Sequence, residues 1–158
     1  DSDSDLRLVT ASGKSGSVYL RDADGAWRFT APNLTGPDFL SIANGARLTA
    51  GGTWTNASSR SLKQGFAPVD AEGVLARVLA LPITTWQYTA SAEGTHMGPV
   101  AEDFHAAFGL GSSDESISTV DADGVALAAI QGLHRQLQAE NEALVRRLEA
   151  LERQLAER

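Results

Sequence analysis

Cysteine is absent from this chain of 158 residues, and aromatic residues make up only 6% of it. The lack of cysteine excludes disulfides, thiolate metal sites and cysteine nucleophiles. The scarcity of aromatic residues argues against a large core within a single chain. No apolar run reaches the length that a membrane-spanning helix needs.

Basic residues are outnumbered, with 13 Lys and Arg against 20 Asp and Glu, which gives a net charge of −7. Nucleic acids and anionic membranes are bound through basic surfaces, and the sequence has no basic stripe. We therefore expect neither a nucleic acid nor a membrane among the partners. The first five residues do not form a signal peptide and include no initiator methionine, so we expect the chain to be a fragment of a longer protein.

The residue pattern changes twice along the chain, which predicts an α+β protein in three parts. Residues 1–56 are predicted to be the β-rich end of a fibre or stalk. Residues 57–131 are predicted to form a small mixed α/β domain, and residues 132–158 a coiled-coil helix.

The first part contains short runs of strand-forming residues, each bounded by Gly, Pro, Asn or Asp. The predicted strands are Leu6–Ala11, Ser17–Arg21, Ala26–Ala31, Phe39–Ala43 and Ala46–Ala50. The Asp24-Gly25 pair indicates a hairpin turn between the second and third of them. These strands carry too few large apolar side chains to offset the chain entropy lost on folding, so we expect them to pack between chains.

The middle part has two helical patterns around a strand. Val74, Leu75, Val78 and Leu79 lie at helical spacing, and Pro82 is expected to end that helix. Residues 83–88 are predicted to form a strand. A second helix is expected to begin at Pro99, to carry Val100, Phe104 and Phe108 on one face, and to end at Gly109. We expect Trp86, Phe104 and Phe108 to be largely buried.

Residues 124–158 predict one long helix with a heptad repeat. Its a positions are Leu127, His134, Asn141, Leu148 and Leu155, and its d positions are Ile130, Leu137, Leu144 and Leu151. An amphipathic helix packed on its own domain is the alternative, although no further core follows it. His134 and Asn141 are interpreted as polar layers that set the register; the alternative for His134 is that three symmetry-related rings hold an ion.

Three motifs occur in a characteristic order: Ser58-Ser-Arg-Ser-Leu-Lys63, His96-Met-Gly-Pro-Val-Ala-Glu-Asp-Phe104, and a third over residues 117–133. Together they resemble the endosialidase-type intramolecular chaperone domain, peptidase family S74, of phage tailspikes and tail fibres. The resemblance covers roughly residues 53–135.

The resemblance implies a homotrimer that helps an upstream fibre domain of the same chain to fold. Ile130, Leu137, Asn141, Leu144, Leu148, Leu151 and Leu155 would then form the trimer interface. It also implies a virion tail fibre or a prophage-encoded product made in the bacterial cytoplasm, with the chaperone shed if the chain is cleaved.

The resemblance further implies self-cleavage between Ala57 and Ser58, with Ser58 as nucleophile and Lys63 as base. Ser59 departs from the family pattern, because an Asp often stands there. His96 is a candidate orienting residue, and the alternative is a structural histidine before a turn. For the first motif the alternative is a plain polar loop with a solvated lysine.

We predict no cofactor and no metal. Two Asp-Ala-Asp-Gly sequences, at residues 22–25 and 121–124, begin like calcium loops but lack the later ligands. The first is interpreted as a hairpin turn, and the second as a helix N-terminus with Asp123 as a candidate N-cap.

Two other functions compete with the trimeric chaperone. One is an uncleaved trimeric fibre tip, or adhesin, that binds a surface receptor or a glycan through aromatic side chains such as Trp27 and Trp54. The other is a membrane-tethered transcription factor, for which the sequence offers neither a DNA-binding region nor a membrane segment.

Overall fold

The computed structural model divides the chain into two compact units, Asp1–Gly65 and Phe66–Arg158. The structure describes residues 4–9, 15–20, 27–30, 38–42, 45–90 and 93–157. It is a mixed protein of small antiparallel sheets and helices, in agreement with the predicted α+β class.

The first unit begins with a three-stranded antiparallel sheet in the order β1-β2-β3. Its strands are β1 (Ser4–Val9), β2 (Ser15–Leu20) and β3 (Trp27–Thr30). Each overlaps a predicted strand, and Leu20 pairs with Trp27 as a β2–β3 hairpin requires. The predicted Asp24-Gly25 turn lies outside the described residues.

A second three-stranded antiparallel sheet follows in the same unit, in the order β4-β5-β6. Its strands are β4 (Asp38–Ser41), β5 (Arg47–Thr49) and β6 (Trp54–Thr55). The two-residue β6 is too short to leave a periodic pattern and was not predicted. No side chain whose burial the structure describes in this unit is buried, which accords with the small number of large apolar residues there.

The second unit contains three helices and a two-stranded antiparallel sheet. Its elements are α1 (Ala71–Ala80), β7 (Thr84–Trp86), β8 (His96–Gly98), α2 (Ala101–Phe108) and α3 (Thr119–Ala156). Helix α1 begins because Asp70 is its N-cap, with the carboxylate accepting a hydrogen bond from the Gly73 amide at 3.0 Å. It ends before Pro82, as predicted. The strand predicted over residues 83–88 is limited to β7.

Helix α2 begins later than predicted. Val100 is its N-cap residue with an extended backbone, and Phe104 donates the first helical hydrogen bond to the Val100 carbonyl at 3.1 Å. Pro99 therefore precedes the helix instead of opening it. The predicted end is confirmed, because Gly109 adopts the left-handed conformation with φ 62°, which glycine tolerates without steric cost.

Helix α3 begins earlier than predicted. Its N-cap position is Ser118, so the interpretation of Asp123 as N-cap is wrong. Asp121 falls in the first turn, where a carboxylate interacts favourably with the positive end of the helix dipole. The second Asp-Ala-Asp-Gly sequence is thus helical, and it directly precedes Val125, which is buried in the core.

The core of the second unit lies between α1 and α3, with α2 closing one side. Its buried apolar residues are Ala71, Val74, Leu75, Phe104, Val125 and Ala129. Phe104 is only 5% exposed, as predicted. Trp86 and Phe108 are half-buried, which corrects the expectation that both are largely buried. Phe108 ends an eight-residue helix and lies at the edge of the core, where the Arg77 guanidinium approaches its ring at 5.8 Å.

Gly132 sets how closely α1 and α3 approach. A Cβ atom at this buried position would overlap the backbone carbonyl of Ala71 and would also press on Leu75 at 3.1 Å. Only glycine lets the two backbones come this close.

Candidate functional site

The candidate catalytic pair lies in the first unit, on the segment that follows β6. The Lys63 amine donates a hydrogen bond to the Ser58 hydroxyl, with 2.6 Å between Nζ and Oγ, across five residues of sequence. The structure therefore brings together the two residues on which the predicted chemistry depends.

A single turn of 3-10 helix, Arg60–Leu62, reverses the chain between them. The Leu62 amide donates to the Ser59 carbonyl at 3.1 Å, and the Lys63 amide donates to the Arg60 carbonyl at 3.2 Å. Because the turn folds the backbone back on itself, the lysine side chain can reach a serine five residues earlier. An extended segment of that length would hold the two residues far apart.

Ser58 and Lys63 are both exposed in the single chain. A serine hydroxyl becomes a good nucleophile when a nearby base takes its proton. A lysine amine is such a base only in the neutral form, which burial favours by lowering a lysine's pKa. In the single chain the two side chains therefore have the geometry of a Ser–Lys pair, but both are exposed to water instead of being buried.

His96 belongs to the second unit, where it packs in an aromatic cluster on the β7–β8 sheet. Its ring stacks on Trp86 with 4.8 Å between centroids and 25° between planes, and Tyr88 meets both rings edge-on. The sequence did not predict this cluster, because the pairing of Trp86 with His96 across the two strands sets it. This packing matches the structural-histidine alternative.

Nε2 of His96 lies near a carboxylate but makes no hydrogen bond. Nε2 lies 3.4 Å from an oxygen of Glu93, a distance suited to an ion pair when the ring is protonated. It is shielded from solvent without hydrogen-bond geometry to any partner, and so is Nε1 of Trp86. The ring is held by stacking more than by polar contacts.

Residues 58–109 match the family model for peptidase S74, the chaperone of endosialidase. The predicted resemblance is confirmed over this segment. Searches of curated proteins and of solved structures found no match.

The S74 segment begins at Ser58 and ends at Gly109, the residue that terminates α2. It includes Ser58, Lys63 and His96. The predicted resemblance extended further, over residues 53–135. Because the match ends at residue 109, the third motif, at residues 117–133, lies outside it. Residues 119–133 of that motif form the first part of α3, which packs on α1 of the S74 segment.

Acidic and histidine side chains do not gather into a cation site in the part of the chain that the structure describes. No group of three or more potential metal ligands occurs there. Residues 22–25, with the other Asp-Ala-Asp-Gly sequence, lie outside that part. Among the described helices none combines the length and the apolar character that crossing a membrane requires.

A second candidate functional surface is the heptad face of α3, which we call the α3 seam. It consists of Leu127, Ile130, His134, Leu137, Asn141, Leu144, Leu148, Leu151 and Leu155. Every one of them is exposed in the single chain, Leu127 at 64% and Leu155 at 70%. A row of exposed leucines along a helix is typical of a surface that another helix covers.

The α3 seam and the contact with α1 occupy opposite sides of α3. Val125, Ala129 and Gly132 are the buried residues of the helix and form its α1 side. His134 follows Val125 by nine residues (134 − 125), which is two and a half turns at about 3.6 residues per turn. The helix can therefore contact α1 within its own chain and still present the seam to other chains.

Proposed function

We propose that the chain is a trimeric intramolecular chaperone that assists the folding of an upstream fibre domain of the same polypeptide. The observation that carries the proposal is the match of residues 58–109 to the chaperone-of-endosialidase family, which supports a chaperone-type role. The domain arrangement proposed with it is a β-rich fibre end over residues 1–56, a chaperone domain over residues 57–131 and a coiled coil over residues 132–158.

The exposed α3 seam supports self-assembly. An isolated helix with this many exposed leucines would leave a continuous apolar stripe in water, and helix association removes it. His134 and Asn141 interrupt the stripe at a positions, where polar residues fix register and strand number. The trimeric state itself is what the family resemblance implies. Residues 1–56, in which no described side chain is buried, would find burial between chains.

Light scattering on the purified chain tests assembly. We expect three times the chain mass at micromolar concentration, and deletion of residues 136–158 should weaken association because it removes most of the seam. Replacing Leu144 and Leu151 by Ala should act in the same direction, whereas replacing the off-seam residues Ala143 and Ala150 by Ser should have little effect. A monomer mass for the unmodified chain would contradict the proposal.

We also propose that the chain cleaves itself between Ala57 and Ser58. Ser58 Oγ would attack the Ala57 carbonyl carbon through a five-membered ring, the C–N bond would break, and the acyl group would pass from nitrogen to oxygen. Lys63 would accept the hydroxyl proton and return a proton to the Ser58 amine. Water would then hydrolyse the ester, leaving a carboxylate on Ala57 and restoring the Ser58 hydroxyl.

The contact between Lys63 Nζ and Ser58 Oγ supports this chemistry. Since both groups are exposed in the single chain, neighbouring subunits would have to cover them before the amine is kept neutral. Cleavage would then follow assembly, so the fibre would not lose its chaperone before it has folded.

Intact-mass measurement of the purified protein tests the cut. We expect two fragments whose masses add up to the chain mass plus one water. Ser58→Ala and Lys63→Ala should abolish the cut and leave the trimer intact, while Lys14→Ala, at the only other lysine of the sequence, should change nothing. Cleavage that persisted at full rate in Lys63→Ala would contradict the Ser–Lys mechanism.

An uncleaved fibre tip that binds a receptor or a glycan is the second candidate function. Trp54 favours this function, because its side chain is 48% exposed. The indole N–H donates a hydrogen bond to Asn56 Oδ1 at 3.1 Å, and this bond holds the exposed aromatic surface in place. Trp27 belongs to β3, and its side chain lies outside the described ones. Loss of glycan binding in Trp54→Ala, without loss of the trimer, would identify this function.

The proposed location follows from the proposed role. The chain would be part of a virion tail fibre, or of a prophage-encoded product made in the bacterial cytoplasm, and would be shed if it is cleaved. Mass spectrometry of purified particles would find residues 1–57 without residues 58–158 if shedding occurs, and both segments if it does not.

A further inference from the structure

The turn that joins Ser58 to Lys63 is held by polar contacts. Residues 60–63 are all exposed, and Leu62 is 65% exposed, so apolar burial contributes little to its stability. A one-turn helix is also unfavourable by itself, because few hydrogen bonds offset the backbone entropy that it loses. Any side chain that satisfies its free amides therefore has a large influence on how often the turn is formed.

Ser59 is in the position to do this. Its backbone is extended, with φ −60° and ψ 143°, as is typical of an N-cap residue. Its Oγ accepts a hydrogen bond from the Ser61 amide at 3.4 Å and lies 2.8 Å from the Ser61 hydroxyl. The hydroxyl thus caps the turn that begins at Arg60 and ends at Lys63.

We propose that Ser59 is a positioning residue for the Ser58–Lys63 pair. Its hydroxyl stabilises the Arg60–Leu62 turn, and the turn keeps Lys63 Nζ against Ser58 Oγ. Ser59 does not take part in the bond changes. Its effect on rate rests on the proposed self-cleavage, whereas its effect on the turn does not.

The first test measures the rate of cleavage in the full-length chain. Ser59→Ala should slow the cut by about tenfold, because the loss of an N-cap oxygen leaves the turn formed less often. Ser59→Thr and Ser59→Asp keep a capping oxygen and should stay within about threefold of the unmodified rate. Ser61→Ala is the matched control, since it removes the neighbouring hydroxyl and leaves the capped amide in place.

The pattern of rates separates positioning from a general loss of structure. In Ser59→Ala the trimer mass and the thermal unfolding midpoint should be unchanged while the rate falls. An unchanged rate in Ser59→Ala, or rates in Ser59→Thr and Ser59→Asp as low as in Ser59→Ala, would overturn the proposal.

The second test does not need cleavage. The Ser58→Ala chain lacks the nucleophile and cannot cleave itself. In this chain, hydrogen exchange on the millisecond scale measures how often the hydrogen bonds of the Leu62 and Lys63 amides, which close the turn, open. Adding Ser59→Ala should speed their exchange by about tenfold, and adding Ser59→Thr should not. Unchanged exchange would overturn the proposal even if the chain cleaves.

The two tests also distinguish a failure of the self-cleavage proposal from a failure of the Ser59 proposal. If no variant is cut but Ser59→Ala speeds exchange, self-cleavage is wrong and the capping role of Ser59 stands. If the unmodified chain is cut and Ser59→Ala speeds exchange without slowing the cut, self-cleavage stands and positioning by Ser59 is wrong.

Discussion

The two compact units of this chain differ in how their side chains are buried. The second unit has a core of its own, in which Phe104 of α2 belongs to one buried cluster with residues of α1 and α3. In the first unit the strands pair through their backbones, but no side chain whose burial is described there is buried. Backbone pairing without apolar burial is marginal in water, so we expect the second unit to fold within one chain and the first to depend on its neighbours.

Separating the two units should change stability more than any single substitution. Residues 66–158 expressed alone should give a helical circular dichroism spectrum and a cooperative thermal transition. Residues 1–65 alone should show no cooperative transition, because their described part lacks a core. A cooperative transition in residues 1–65 as a monomer would show that the first unit folds without its neighbours.

Within the second unit, Phe104→Ala should cost about 3–5 kcal/mol of unfolding free energy, as expected for a buried phenylalanine. Leu79→Ala is the matched control, since Leu79 is 77% exposed on α1, and its cost should be well under half as large. Denaturant titration of the full chain measures both. Equal costs would mean that Phe104 does not belong to the core.

Two glycines of α3 should respond in opposite directions to the same substitution. Gly132→Ala should destabilise the second unit by about 1–3 kcal/mol, because the added methyl group meets the Ala71 carbonyl. Gly124→Ala should stabilise it by about 1 kcal/mol, because the added carbon would meet nothing within 4 Å apart from the adjoining backbone of its own helix, and alanine has the higher helix propensity. Thermal unfolding of the two variants distinguishes them, and a stabilised Gly132→Ala would show that α1 and α3 do not approach so closely.

The smallest effect is expected at the start of α1. Asp70→Ala removes the N-cap carboxylate and should cost about 1 kcal/mol, whereas Asp70→Asn keeps a capping oxygen and should cost only a few tenths. Chemical denaturation compares the two variants with the unmodified chain. Similar costs for both would indicate that the charge of Asp70, and not its hydrogen bond, stabilises the helix.

Several elements were predictable because their signals are local. The spacing of Val74 and Leu75 predicted α1. Gly109, which adopts the left-handed backbone conformation, predicted the end of α2. The starts of α2 and α3 were missed, because the local signals at Pro99 and Asp123 pointed to other positions than the N-caps Val100 and Ser118. The capping role of Ser59 was missed although a local signal exists, since serine before a turn is a favoured N-cap.

The amino-acid sequence alone was enough to predict the periodicity of the helices, the ends of α1 and α2 at Pro82 and Gly109, and the five-residue spacing of Ser58 and Lys63, since these depend on neighbours along the chain. The side of α3 that packs on α1, and the need for glycine at position 132, became clear only from the three-dimensional packing, and the contact of Lys63 Nζ with Ser58 Oγ only from the folded turn between them. An amphipathic pattern predicts how much apolar surface a helix has, whereas shape and close approach in three dimensions select the partner that covers this surface.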